Sequence, residues 1–143
     1  MYDADRAKLI EIVRQDPFAN ALGIELLELR EGYAQVAMTL RPDMLNFHGM
    51  PHGGAIFALA DFAFSAAGNS RGQVGVAMEV TITYLNVAPH GARLIAEAQE
   101  EYLGRRTGTY HLTVATEDGQ LIASCHALLW RKGERFGKDI VAP

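Results

Sequence analysis

The sequence holds a single cysteine, Cys125, one tryptophan and five prolines in 143 residues. A lone thiol cannot form an intrachain disulfide and lacks the paired spacing of a zinc or redox site, so a reducing compartment is expected. Positive charge is not in surplus. Thirteen Lys and Arg stand against 17 Asp and Glu, a net charge of −4, which excludes a global field drawing the chain to nucleic acid or anionic lipid. No uncharged apolar run approaches the ~18 residues of a membrane span. The chain opens Met1-Tyr2-Asp3-Ala4-Asp5, acidic where a secretory leader is basic. The expectation is a cytoplasmic protein with neither a nucleic-acid nor a membrane partner. What is present is ordinary for a globular chain, 49% hydrophobic and 21% charged residues, and 15.6 kDa is one domain's worth of core, 1–143.

Apolar Leu9, Ile10, Ile12 and Val13 recur at helical spacing, with Asp near the start and Pro17 beyond, which predicts an N-terminal helix within residues 1–17. Two strand-like runs follow, 24–29 and 33–40, joined across Arg30-Glu31-Gly32 as a hairpin. Then comes Asn46-Phe47-His48-Gly49-Met50-Pro51-His52-Gly53-Gly54, too rich in Gly and Pro to continue a strand. An Ala- and Phe-rich stretch without a breaker leads on, predicting a long central helix at about 52–69. Being apolar nearly all round, it reads as a helix wrapped by other structure. Four more strands are expected at 76–87, 92–102, 107–116 and 120–131, and residues 133–143 form a patternless tail. Glu79, Thr81 and Thr83 alternate with Val80, Ile82 and Tyr84, so one sheet face is buried. The fold class is α+β, an antiparallel sheet curled around one helix.

Between Asp43 and Arg71 the only formally charged side chain is Asp61, in the middle of that apolar helix. A carboxylate removed from water raises its pKa or finds partners. One reading makes it a buried acid bonded to a neighbouring loop; the other makes it a general base or nucleophile. At 100° per residue Gly54, Phe57, Ala58, Phe64, Ser65 and Gly68 lie within about 60° of it. Gly53 and Gly54 open the same helix, where unpaired N–H groups form an oxyanion site and two glycines admit a substrate carbonyl. Gly53 and Asp61 are about 12 Å apart along the axis, too far to flank one carbonyl. Two copies packed antiparallel would bring them together, so the site is expected to be shared across a dimer.

The run Leu45-Asn46-x-His48-x-x-x-His52-Gly53-Gly54-x-x-Phe57-x-Leu59-Ala60-Asp61-x-Ala63-Phe64-x-x-x-x-Asn69-Ser70 resembles the hotdog-fold acyl-CoA thioesterases, specifically the phenylacetate-pathway (PaaI-type) branch. Ala21-Leu22-Gly23-Ile24 and Glu31-Gly32 support it. The resemblance implies hydrolysis of aryl- or phenylacetyl-type acyl-CoA by a homodimer, commonly a homotetramer of two dimers. It implies that the Gly53 N–H polarises the thioester carbonyl, that Asn46 holds the oxygen or the water, and that Asp61 of the facing subunit activates water or attacks directly. Ser65 is a candidate water ligand, His52 sits near the helix N-cap and His48 near the substrate. Gly54, Phe57 and Phe64 are candidate pocket walls, and Arg105 and Arg106, with Arg131 and Lys132, candidates for the coenzyme A phosphates. A thioester is already activated, so an oxyanion site, one carboxylate and water suffice. No cofactor or metal is required.

The same residues admit other readings. Gly68-Asn69-Ser70-Arg71-Gly72 matches G-x-S-x-G, but it ends a helix instead of following a strand, so it is no nucleophile elbow. His48 and His52 have the i, i+4 spacing of metal ligands, but Pro51 and two glycines keep them off a helix. His90, His111 and His126 offer no constellation. A non-catalytic acyl-CoA sensing domain and a hotdog enoyl-CoA hydratase remain the alternatives, the latter usually pairing an acid with a catalytic His in a motif of its own.

Overall fold

A computed structural model describes residues 3–135 of the chain. Helix α1 (Asp3–Arg14) is followed by a short second helix, α2 (Pro17–Ala21), and the hairpin β1 (Glu25–Arg30) and β2 (Tyr33–Thr39). The long helix α3 (Gly53–Gly68) precedes four strands, β3 (Gln73–Tyr84), β4 (Arg93–Leu103), β5 (Thr107–Thr116) and β6 (Leu121–Arg135). Every strand pairing is antiparallel, in one sheet of order β1-β2-β4-β5-β6-β3. No helix among the described residues is long and apolar enough to cross a membrane.

The α+β class and the helix-in-sheet arrangement are as expected, with four local differences. Pro17 does not simply follow a helix; it opens α2, whose N-cap Asp16 accepts a hydrogen bond from the Ala19 N–H at 2.9 Å. Proline suits a first helical position because its missing N–H would be unsatisfied there anyway. β3 begins and ends three residues earlier than the pattern suggested. β6 continues through Gly133 to Arg135, opposite Gln73; the remainder of the expected tail, 136–143, lies outside the described residues. Finally, α3 is not wrapped on all sides. It packs chiefly on β2, β4 and β5, burying Leu59, Ala60, Ala63, Phe64 and Ala67 in a core with Val36, Met38, Leu94, Leu112 and Val114. The opposite stripe stays open because the sheet covers one side only: Gly54 and Ser65 are exposed, and Phe57, Ala58, Asp61 and Gly68 half-buried.

A second uncovered surface is β3, one of the sheet's two edge strands. Val76 and Met78 are exposed, 41% and 56%, and Val80 and Ile82 only half-buried, so the predicted alternation is blunted where the sheet runs beyond the helix.

Candidate active site

Two turns of protein chemistry meet at the start of α3. Asn46 Oδ1 accepts hydrogen bonds from the N–H groups of His48 (2.9 Å) and Met50 (3.1 Å), the Asn46 N–H donates to the Met50 carbonyl, and Leu45 bridges to Pro51. This closes a compact loop on which His48 is exposed, its ring 4.2 Å from that of Phe47. With Oδ1 committed, Asn46 can offer a ligand only its amide N–H₂ donors. The loop delivers His52 as the N-cap of α3, where Nδ1 accepts from the Gly54 N–H at 2.8 Å. The proton of the neutral ring therefore sits on Nε2.

A helix begins with four N–H groups lacking intrahelical partners. Here Gly54 is met by the His52 ring, and Ala55 and Ile56 by the His52 carbonyl. Gly53 alone keeps an N–H without a partner among the described residues.

Asp61 lies on the open stripe and lines a cavity of about 230 Å³ with Phe64, Ser65, Gly75, Val76, Ala77 and Leu129. Its carboxylate has no hydrogen-bond or ion-pair partner among the described residues. Burial pushes its pKa above the usual aspartate value, and the negative charge of Asp16 adds to the shift. Ser65 is exposed and its hydroxyl is not bonded back to the helix; it also lines the neighbouring cleft that holds Asp16 and Phe62.

Asn69 caps α3 and staples it to β3 at Gly75, one of the residues lining the cavity. Its amide donates to the carbonyls of Ser65 (2.9 Å) and Gly75 (3.2 Å), and its Oδ1 accepts from the Gly75 N–H at 2.9 Å. A Cβ on Gly75 would fall 2.7 Å from Leu129 Cδ2, so a larger residue there requires the Leu129 side chain to shift.

The predicted residues thus fall into three groups. Asn46, His48, His52, Gly53 and Gly54 share the loop-to-helix junction. Asp61 and Ser65 share the open stripe two turns on, and one chain does not bring them beside Gly53. Phe64 lines the cavity beside Asp61 while its ring packs into the core, 1% exposed and 5.3 Å from the Tyr110 ring. Phe57 is half-buried outside that cavity's lining. Arg105 and Arg106 occupy the β4–β5 turn, exposed, with no ion pair among the described residues. Arg131 joins them, its backbone N–H donating to the Arg106 carbonyl and its guanidinium to that of Gly104, at 2.7 and 2.8 Å.

Ser70 of the G-x-S-x-G match is buried and structural, donating to the Ala67 carbonyl and accepting from the Gly32 N–H. His111 and His126, far apart in sequence, stack at 5.2 Å on neighbouring strands, yet no group of three or more potential metal ligands exists among the described residues. Sequence reasoning also missed Tyr84, whose hydroxyl donates to the Gly53 carbonyl at 2.8 Å.

Residues 48–123 match the Thioesterase superfamily, a span that runs from the loop before α3 into β6. The chain belongs to that superfamily. An Archaeoglobus fulgidus protein described as a putative esterase is 39% identical over 93% of this chain and 90% of its own. The Escherichia coli acyl-coenzyme A thioesterase PaaI is 39% identical over 87% of this chain and 86% of its own. The solved structure of the E. coli PaaI protein from the phenylacetic acid degradation operon superposes with a TM-score of 0.86, covering 92% of this chain and 94% of that one at 36% identity. A Streptococcus mutans protein solved with acetyl CoA matches at 26% identity and a TM-score of 0.75, over 78% and 90% of the two chains. The fold is the hotdog fold, and this thioesterase is of the PaaI type.

Proposed function

We propose that this thioesterase hydrolyses acyl-CoA to free acid and coenzyme A, with aryl- or phenylacetyl-type acyl groups as its preferred class. The observation that carries the reading is that α3 holds two polar groups without a hydrogen-bond partner among the described residues: the Gly53 N–H at its start and the Asp61 carboxylate two turns on. An N–H at a helix N-terminus, carrying the positive end of the dipole, stabilises charge developing on a thioester oxygen. A half-buried carboxylate with no partner is available to take a proton from water or to attack carbon.

The catalytic pair is completed by a second copy of the chain. Stacking two open stripes antiparallel sets Gly53 of one copy beside Asp61 of the other. The unpaired edge of β3, with exposed Val76 and Met78, supplies an adjoining surface that gains from being covered. The assembly is therefore a homodimer, and pairs of dimers form the tetramer.

Water loses a proton to Asp61 as its oxygen bonds the carbonyl carbon. The resulting oxyanion is held by the Gly53 N–H and the Asn46 amide. Collapse breaks the C–S bond, and the departing thiolate recovers the proton from Asp61. The alternative, Asp61 attacking carbon and water then cleaving the anhydride, uses the same atoms. Ser65 holds the water, His52 secures the donor turn, His48 and Phe57 border the acyl group, and Arg105 and Arg106 meet the phosphates. The names of the relatives support the acyl-CoA class and, through PaaI, the phenylacetyl preference.

The test is thiol release from aryl-, phenylacetyl- and fatty acyl-CoAs by wild type and Asp61→Asn. The single buried Cys125 adds at most one equivalent, so multiple turnovers are unambiguous. Turnover by the wild type that Asp61→Asn loses while keeping its assembly supports the reading. Binding without turnover on every substrate would make the chain a sensing domain and Asp61 structural.

A further inference from the structure

The hydroxyl of Tyr84, at the end of β3, donates to the Gly53 carbonyl 31 residues away in sequence. That carbonyl and the Gly54 N–H belong to one peptide plane, and the Gly54 N–H is held by His52 Nδ1. The plane is therefore clamped at both of its polar ends, by a tyrosine from the sheet and a histidine from the loop. Gly53 Cα joins this clamped plane to the next one back, whose N–H is the one left without a partner.

The clamp answers a problem the two glycines create. Successive glycines are the most permissive backbone available, and a helix's first turn is the part that frays. An oxyanion donor needs a fixed direction, since its advantage lies in requiring no reorganisation during reaction. The same two rings account for the glycines themselves. A Cβ on Gly53 would lie 3.1 Å from the Tyr84 hydroxyl oxygen and 3.2 Å from Cζ, and one on Gly54 would lie 3.0 Å from His52 Nδ1. The rings lie close against the turn, and a side chain at either glycine would require them to move by a few tenths of an ångström.

We infer that Tyr84 is a positioning residue for thioester hydrolysis: by holding the Gly53–Gly54 peptide plane against His52, it aims the Gly53 N–H at the substrate carbonyl. Burial raises the phenol's pKa further above its ordinary value, so the O–H remains a donor throughout the neutral range. The inference rests on the proposal that the Gly53 N–H is the oxyanion donor.

The test is Tyr84→Phe, which removes the donor and keeps the ring, measured on phenylacetyl-CoA beside Asp61→Asn. Losing the aim that one net hydrogen bond supplies corresponds to roughly a fivefold fall in rate. The expected result is a fall in kcat of about fivefold or more, KM within about twofold, and faster hydrogen exchange of the Gly54 amide. Unchanged kcat and exchange in Tyr84→Phe, with Asp61→Asn inactive, would overturn the positioning role and leave the proposed function standing. A rise in KM alone would overturn it too, making Tyr84 a substrate contact. Full activity of Asp61→Asn would instead sink the proposed function. The exchange measurement reads the clamp even if Tyr84→Phe assembles poorly: Gly54 protection equal to that of wild type in the folded fraction would also overturn the inference.

Discussion

The Ser70 hydroxyl accepts a hydrogen bond from the Gly32 N–H at 2.8 Å, with both groups buried, and so ties the C-terminal end of α3 to the β1–β2 turn. The same hydroxyl donates to the Ala67 carbonyl. Ser70→Ala strands a buried N–H and is expected to cost about 1–3 kcal/mol, read as a lower urea midpoint at unchanged slope. Because this tie lies at the opposite end of α3 from Gly53, kcat per folded molecule should be that of wild type.

Beside it, Arg71 bridges Glu31 at 3.1 Å and Glu100 at 3.0 Å, and Glu100 also accepts from the Tyr110 hydroxyl at 3.0 Å. The Glu100 side chain is only 12% exposed. Removing its cation leaves a mostly buried charge uncompensated, so Arg71→Ala should destabilise by about 2 kcal/mol. Adding Glu100→Gln should recover part of that loss, a non-additivity that a double-mutant cycle by chemical denaturation reads directly. Simple additivity would show that the pair contributes nothing.

How much of this was legible depends on the range of the interaction. β5 was readable to the residue, 107–116, and α3 to within one residue at each end, because local propensity and breakers decide both. Asp61 stood out because no other charge lies in its stretch. The onset of β3 was not legible, because Gln73, Val74 and Gly75 join the sheet through pairing with β6 and the Asn69 staple. α2 is hard to see in the sequence because Pro17 reads equally as the stop of one helix and, after Asp16, as the start of another. In the sequence Tyr84 is only one member of an alternating strand. Its bond to Gly53 exists only once β3 has paired with β6 and been carried to the foot of α3.

Asp61 couples activity and stability to pH with a definite sign. Its native pKa is raised from 3.8, first by burial and then by Asp16. Below 3.8 both folded and unfolded chains hold the proton. As pH rises the unfolded chain ionises first, so the native state loses stability through the window up to its own pKa. Asp61→Asn escapes that loss and should be the more stable protein at pH 7, with the difference closing toward pH 3. The acid limb of kcat/KM in the wild type should likewise lie above the ordinary aspartate range. An acid limb at 3.8 or below, or an Asn variant no more stable at neutral pH, would show that the carboxylate is solvated in the working enzyme.

Arg105 and Arg106 differ from Arg41, Arg71 and Arg93, which are each paired with acids. The two turn arginines have no such partner among the described residues, and the Arg131 guanidinium is bonded to the same turn. Cations gathered on one turn without an acid favour an anion there. A phosphate is suited to it, since guanidinium forks match its oxygens. Charge reversal by Arg105→Glu with Arg106→Glu should therefore raise KM for acyl-CoA by about tenfold, roughly 1.4 kcal/mol, and leave kcat nearly unchanged. The wild-type KM should rise with salt as the exposed charges are screened. The deciding comparison is the same acyl group on N-acetylcysteamine, a thioester without phosphates. Its KM should be indifferent to both the charge reversal and the salt. An equal rise for both thioesters would place the effect on the acyl pocket or the sheet itself and remove the arginines from coenzyme A recognition.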